Sequence, residues 1–232
     1  MSCLLHCFGR RFDSTMVEKQ AALDAIAQLK EQAKSRKFTQ KFDLIFSLRE
    51  FNIKKGDKID DYLLLPHGTG RTSKFCALVG KELIVDAKKI CDTAILVDDF
   101  EEWASNPRKI RKLVRSHHYF IAQANIMPQI AKTFGKYLGS VGRMPNPKLG
   151  QVIAPNADLK ATVTRINKIA ILKAKKQPNL HLLIANTEMA DEDIWNNIRV
   201  VYDKVLADLP KGKQQLRHVF IKLTMSKPII LE

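Results

Sequence analysis

The sequence predicts a mixed α/β protein in two domains. One is an α+β domain assembled from both chain ends, and the other is an α/β domain inserted between them. Three patterns carry this expectation. Strands alternate with helices through the middle third, as in a parallel sheet with crossover helices. The two outer segments each offer two or three strands and one helix, too little to stand alone. The style changes after Pro66, at a stretch with Gly68 and Gly70, and returns to the first style after Lys168.

Taken in order, Ala22, Ile26, Leu29 and Ala33 recur at helical spacing within about Val17–Lys37. Phe42, Leu44, Phe46 and Leu48 alternate with polar Asp43, Ser47 and Arg49, the period of a half-buried strand. A charged turn, Lys54–Asp61 around Gly56, precedes a short strand Tyr62–Leu65 that ends at Pro66. The middle third reads as strands Phe75–Val79, Ala94–Val97 and Tyr119–Ala122. Its helices are expected at about Lys81–Cys91, Phe100–Ser116, Met127–Leu138 and Ala157–Lys168. The last third holds strands Ile169–Lys175 and Leu180–Ile184. A helix then opens on Asp191-Glu192-Asp193, where acids suit the positive end of the helix dipole. Ile194, Ile198, Val201 and Val205 form its buried stripe, and Pro210 stops it. In the final strand, Leu216–Met225, the residues Val219, Ile221, Leu223 and Met225 are expected on the core side.

Composition narrows the function. A net charge of +15 favours a polyanionic partner. The chain is 45% hydrophobic, enough for a core, so it is no basic tail. No apolar run approaches the ~20 residues of a membrane helix, and no membrane partner is expected. At 7% aromatic content the chain suits folded RNA, read through shape, phosphates and 2′-hydroxyls, better than serial stacking on a single strand. Cys3, Cys7, Cys76 and Cys91 show no paired spacing, so reduced cytosolic thiols are expected. Cys3, His6 and Cys7 lie close together, but a structural zinc site takes four ligands and no second pair is near. Residues 1–15 read as a poorly ordered extension.

Several strings invite a catalytic reading. Leu65-Pro66-His67-Gly68-Thr69-Gly70-Arg71 lacks the lysine-serine/threonine ending of a Walker loop and precedes a strand, so a hinge fits better. Asp98, Asp99, Glu101 and Glu102 read as an acidic first helical turn. The run Arg108–Arg115 reads as a helix with a solvated basic face around Ile110, Leu113 and Val114. The alternative to an RNA-binding protein is a nucleic-acid-processing enzyme with a nucleotide site in the α/β domain. It would need a phosphate loop, a convergent acid pair or an activated nucleophile, and none is visible.

Leu65-Pro66-His67-Gly68-Thr69-Gly70, Met144-Pro145-Asn146-Pro147-Lys148-Leu149-Gly150 and Thr224-Met225, in that order and spacing, resemble the archaeal form of the L-one family of large-subunit ribosomal stalk proteins. The resemblance covers Met16 to Glu232. It implies a discontinuous α+β sandwich domain (16–68 plus 168–232) and an inserted Rossmann-like three-layer α/β domain (69–167). RNA contacts are implied at Lys37, Phe38, Thr39 and Gln40, at Thr224, Met225 and Ser226, and at His181. Ser226 stands where the family has glycine, and Ala185 stands where glycine is common. Read alone, Phe38 would be a first core residue, Thr224 a strand terminus and His181 a structural histidine. Arg143 and Lys148 are candidates for an auxiliary RNA contact, and Pro66, Gly68, Gly70 and Lys168 for a hinge. The implied partners are large-subunit ribosomal RNA, exit-site tRNA, other large-subunit components and the protein's own mRNA, all in the cytoplasm. No catalytic residue, metal or cofactor is expected.

Overall fold

A computed structural model describes residues 19–34, 36–50, 59–155, 157–174 and 177–231. The extension 1–15, with Cys3, His6 and Cys7, and the turn around Gly56 lie outside the described residues.

Helix α1 (Lys19–Gln32) buries Ala22, Ala25, Ile26 and Leu29 along one stripe. Strand β1 (Lys41–Leu48) alternates strictly, with Phe42, Leu44, Phe46 and Leu48 inward. β2 (Ile59–Leu64) leads to β3 (Phe75–Val79), whose five residues are all buried. Then come α2 (Ile84–Ile90), β4 (Thr93–Leu96), α3 (Phe100–Ser105), α4 (Pro107–Ser116) and β5 (Tyr119–Gln123). α5 (Met127–Thr133), α6 (Gly135–Val141), β6 (Val152–Ile153) and α7 (Leu159–Asn167) complete the middle third. The chain closes with β7 (Ile169–Ala174), β8 (Asn179–Asn186), α8 (Asp191–Asp208), β9 (Leu216–Leu223) and β10 (Ile229–Ile230).

Three sheets result. The first has the order β10-β9-β1-β8, entirely antiparallel, so that β1 from the first third lies between β9 and β8 from the last. α1 and α8 share a core with its inner face, formed by Phe42, Leu44 and Phe46 with Leu182, Ile184, Val219 and Ile221. Phe42 and Phe46 are fully buried, and each such side chain contributes roughly 1.5–3 kcal/mol. β2 and β7 form a separate antiparallel ribbon, which the strand periodicity did not distinguish from the main sheet. The third sheet, β4-β3-β5-β6, is parallel throughout. α2 and α7 cover one of its faces and α3 to α6 the other. Cys76 and Cys91 are buried within it, and burial pushes the Cys91 thiol up to about 11 and that of Cys76 further still.

Three expectations need correction, and two short strands were not expected. The helix expected over Phe100–Ser116 is two helices, because Asn106 leaves helical geometry (ψ 76°) and Pro107 starts α4. The helix expected over Met127–Leu138 breaks before Gly135 and ends at Gly142 in the left-handed region (φ 70°). β6 and β10 have two residues each, too few to show a period. Finally, β9 stops at Leu223, so Met225 leaves the core side and is 60% exposed.

Candidate nucleic-acid interface

The outward face of the antiparallel sheet follows from its register. Ile45 faces His181 on one side and Phe220 on the other, and Phe220 faces Ile230. One row therefore crosses all four strands: His181, Ile45, Phe220 and Ile230. This row is flanked on one side by Leu183, Asp43 and Lys222, and on the other by Asn179, Ser47 and His218. The rings of His218 and Phe220 lie 5.8 Å apart. The face thus combines half-buried apolar surface with imidazoles and a lysine. Among the described residues Asp43 is its one carboxylate; burial raises its pKa, while Lys222, His181 and Lys41 oppose that rise.

The expected contact segments meet at one end of this sheet. Lys37, Phe38 and Thr39 are exposed in the link between α1 and β1, with Phe38 52% exposed. Gln40 is buried; its side chain donates to the Lys34 carbonyl (3.3 Å), and its own carbonyl accepts from the Thr187 amide (3.2 Å). It braces the segment rather than presenting its amide to solvent. A shallow depression of about 490 Å³ beside Phe38 is lined by Lys34, Arg36, Lys37 and Thr187, among others. Lys41, three residues on, bonds through its backbone to Thr224 (3.1 Å), which brings the 37–40 and 224–226 segments to the same edge. Thr224 and Met225 are exposed.

Ser226 does not use left-handed geometry, since the one non-glycine residue at positive φ among those described is Glu50. Its hydroxyl accepts from the Leu223 amide (2.9 Å) and closes the turn that ends β9. His181 is exposed on the outward face, in the row described above.

The other expected residues are placed differently. The Arg143 guanidinium donates to the carbonyls of Val114 and His117, at the C-terminal end of α4. Lys148 is exposed, on a loop that Asn146 fixes by accepting from the Lys148 amide (3.0 Å). The Asn146 side chain also donates to the Tyr62 hydroxyl (3.1 Å), across a cleft of about 500 Å³ between the β2–β7 ribbon and the parallel-sheet region. Arg71, His118 and Lys173 line this cleft. Burial lowers the His118 pKa, and Arg71, Arg143, Lys41 and Lys74 lower it further.

At the expected hinge, Gly68 (φ 71°) and Gly70 (φ 63°) both use left-handed geometry. The Lys168 carbonyl accepts from the Leu65 amide (2.9 Å), and exposed Pro66 follows directly. The crossing is pinned by a residue the sequence reading missed. Asn197 on α8 is fully buried; its amide donates to the carbonyls of Gly68 (2.9 Å) and Ile184 (3.1 Å), and its oxygen accepts from the His67 amide (3.3 Å). Ile184 sits where the β1–β8 register slips. A bulge leaves one residue unpaired in the ladder, and Asn197 supplies the partner its carbonyl needs. A polar residue within the apolar stripe of α8 was the available signal.

The parallel sheet has its crevice between the carboxyl ends of β3 and β5, the usual ligand position in such folds. Gln123 fills it. Its side-chain oxygen accepts from the Gly80 amide (2.9 Å), and its nitrogen donates to Glu82 (3.3 Å). The acid cluster is likewise engaged at the surface, Asp98 with Lys81 (2.9 Å) and Glu102 with Lys109 (3.2 Å).

The profile of the ribosomal protein L1p/L10e family matches residues 29–227. The chain belongs to that family. Among its relatives, the large ribosomal subunit protein uL1 of Methanocaldococcus jannaschii is 34% identical over 92% of this chain and 95% of its own length. That of Nanoarchaeum equitans is 34% identical over 90% and 98%. The uL1 of Methanothermococcus thermolithotrophicus is 31% identical over 93% of this chain and all of its own. The relatives identify the chain as an archaeal-type member of L1p/L10e, a family of structural ribosomal proteins rather than enzymes. No helix among the described residues is long and apolar enough to cross a membrane.

Proposed function

We propose that the chain is a constituent of the cytoplasmic large ribosomal subunit that binds large-subunit ribosomal RNA through the end-built antiparallel sheet. Residues 16–68 plus 168–232 act as the RNA-binding α+β domain, and 69–167 as an inserted α/β domain. The observation that carries this reading is the convergence of exposed Phe38, Thr224 and Met225 on one sheet edge, beside exposed Lys34, Arg36 and Lys37. An exposed phenylalanine and methionine offer apolar contact to ribose and base, and the surrounding lysines meet phosphates. From the family likeness follow the finer parts of the proposal: a mobile stalk near the tRNA exit site, assistance to the release of deacylated tRNA, and repression of the protein's own mRNA. The Arg143 guanidinium is engaged by the backbone at the end of α4, while exposed Lys148 can reach RNA from the cleft side.

The test is co-sedimentation with large ribosomal subunits lacking their own copy of this protein, at low and high salt, together with affinity for the ribosomal RNA fragment. Binding is expected to weaken steeply with salt through counterion release. Joining 16–68 to 168–232 by a short linker is expected to retain most of the affinity. Equal affinity in the isolated 69–167 segment would overturn the placement of the interface. The plugged crevice at Gln123 disfavours the alternative of a nucleotide-using enzyme.

A further inference from the structure

Helix α4 carries Arg108, Arg111, Lys112 and Arg115 at positions i, i+3, i+4 and i+7, one continuous face. All four are exposed. Across from them, α6 presents Lys136, Tyr137, Ser140 and Val141, and the two helices enclose a hollow of about 320 Å³. It sits beside a shallower one of about 530 Å³ along α4 itself. Five cations border the two hollows and no carboxylate lines either. The Arg111 guanidinium lies over the Tyr137 ring at 5.9 Å, a cation–π contact that holds it at the wall.

This is an unfavourable arrangement for the free protein. Arg108–Lys112 and Arg111–Arg115 are like-charge i,i+4 pairs, which destabilise a helix, and α4 has no acid in its first turn. The acid-paired member of the run, Lys109, bonds Glu102 and lines neither hollow. A bound polyanion would reverse that repulsion. The apolar residues of α4, Ile110, Leu113 and Val114, are all buried in the core, so the helix has no free apolar face for a membrane to take up.

We infer that the α4–α6 groove is a second RNA site, which grips the phosphate backbone of an RNA segment distinct from the one on the antiparallel sheet. Arg108 to Arg115 spans about 10 Å along the helix axis, long enough to meet more than one phosphate of a strand. The groove contacts the backbone without reading sequence, because its donors are cations and hydroxyls rather than groups poised for base edges. α6 separates it from the cleft that faces the β2–β7 ribbon; Val141 borders both. No residue lining the groove belongs to the antiparallel sheet or to the 37–40 and 224–226 segments, so the two RNA surfaces are open to simultaneous occupation. The choice of RNA over other polyanions rests on the function proposed above.

The experiment uses the full chain, first saturated with the ribosomal RNA fragment, and a labelled short RNA duplex of unrelated sequence as the probe. Vesicles containing phosphatidylserine and a polyglutamate peptide are parallel probes. Combined Arg111→Ala, Lys112→Ala and Arg115→Ala is expected to weaken duplex binding at least tenfold at low salt and to flatten its log–log salt slope by about two to three. Affinity for the ribosomal fragment should stay within twofold. Lys136→Glu, on the other wall, should reproduce the loss, and Lys88→Ala with Lys89→Ala on α2 should not. The inference is overturned if the triple variant binds the duplex normally or if the α2 control loses as much. It is also overturned if the saturating fragment blocks the duplex, or if vesicles or peptide bind with equal strength and the same sensitivity. Failure of the ribosomal reading would register separately, as no specific binding of the ribosomal fragment by the unaltered chain.

Discussion

Thr224 and Lys41 hold each other through three hydrogen bonds. The Lys41 amide donates to Thr224 Oγ1 (3.1 Å), the Thr224 amide donates to the Lys41 carbonyl (3.1 Å), and the Thr224 hydroxyl donates to that same carbonyl (3.3 Å). The hydroxyl that the sequence offered to RNA is already engaged in joining the two contact segments. Thr224→Ala should therefore lower both stability and affinity, the first by about 0.5–1.5 kcal/mol. Thr224→Ser should restore both. The check is denaturant unfolding paired with RNA titration of each variant; a loss of affinity with unchanged stability would contradict the dual role.

Phe38 differs because its ring is half exposed and no aromatic partner holds it among the described residues. Phe38→Ala is expected to weaken binding of the ribosomal RNA fragment at least several-fold while leaving the melting temperature within about a degree, as for a surface site. A matching fall in melting temperature would mark Phe38 as structural instead.

Asp43 is a carboxylate on the outward face, beside the row of His181, Ile45 and Phe220, with its pKa raised by burial. A raised carboxyl pKa means the native state binds the proton more tightly than the unfolded one, so stability falls as pH rises through the interval between the two values. At neutral pH the charged form is the disfavoured one. Asp43→Asn should thus raise stability at pH 7, lessen its dependence on pH above 4, and strengthen RNA binding by removing repulsion from phosphate. Thermal melts at pH 4 and 7 and an RNA titration would read all three.

His118 has the opposite linkage. Its folded pKa lies below the ordinary histidine value because of burial and the surrounding Arg71, Arg143, Lys41 and Lys74. The unfolded state then takes up the proton first, and stability is lost as pH falls from about 6.5 toward the lower folded value. His118→Asn should flatten melting temperature between pH 7.5 and 5.5. Carboxylates such as Asp61, held low by Lys204, contribute their own loss only at more acid pH.

Asn197 closes the crossing between the two sheet systems. Asn197→Ala removes three hydrogen bonds and leaves the carbonyls of Gly68 and Ile184 without this partner in a buried setting. A loss of about 2–4 kcal/mol is expected, with faster proteolysis near 66–70. Gly70→Ala should also destabilise, since its φ is 63° and a Cβ would stand 2.8 Å from the Asn186 Cβ. Denaturant midpoints and limited digestion would measure both.

By itself the sequence determined the elements whose period is long enough to express a buried face. The alternation of Phe42, Leu44, Phe46 and Leu48 specified β1, and the stripe Ile194, Ile198, Val201 and Val205 specified α8. It also put His218, Phe220 and Lys222 opposite the core side of the last strand, because side chains alternate across a strand. The tertiary structure decided what local periodicity cannot express. Registers between strands more than a hundred residues apart bring His181, Ile45 and Phe220 into one row. The end of β9 at Leu223 turned Met225 from core to surface. Burial of the Gln40, Gln123 and Asn197 side chains depends on partners that approach only once the chain has folded. A polar side chain in sequence carries no mark of whether water or a distant backbone carbonyl will satisfy it, and here long-range packing made that choice.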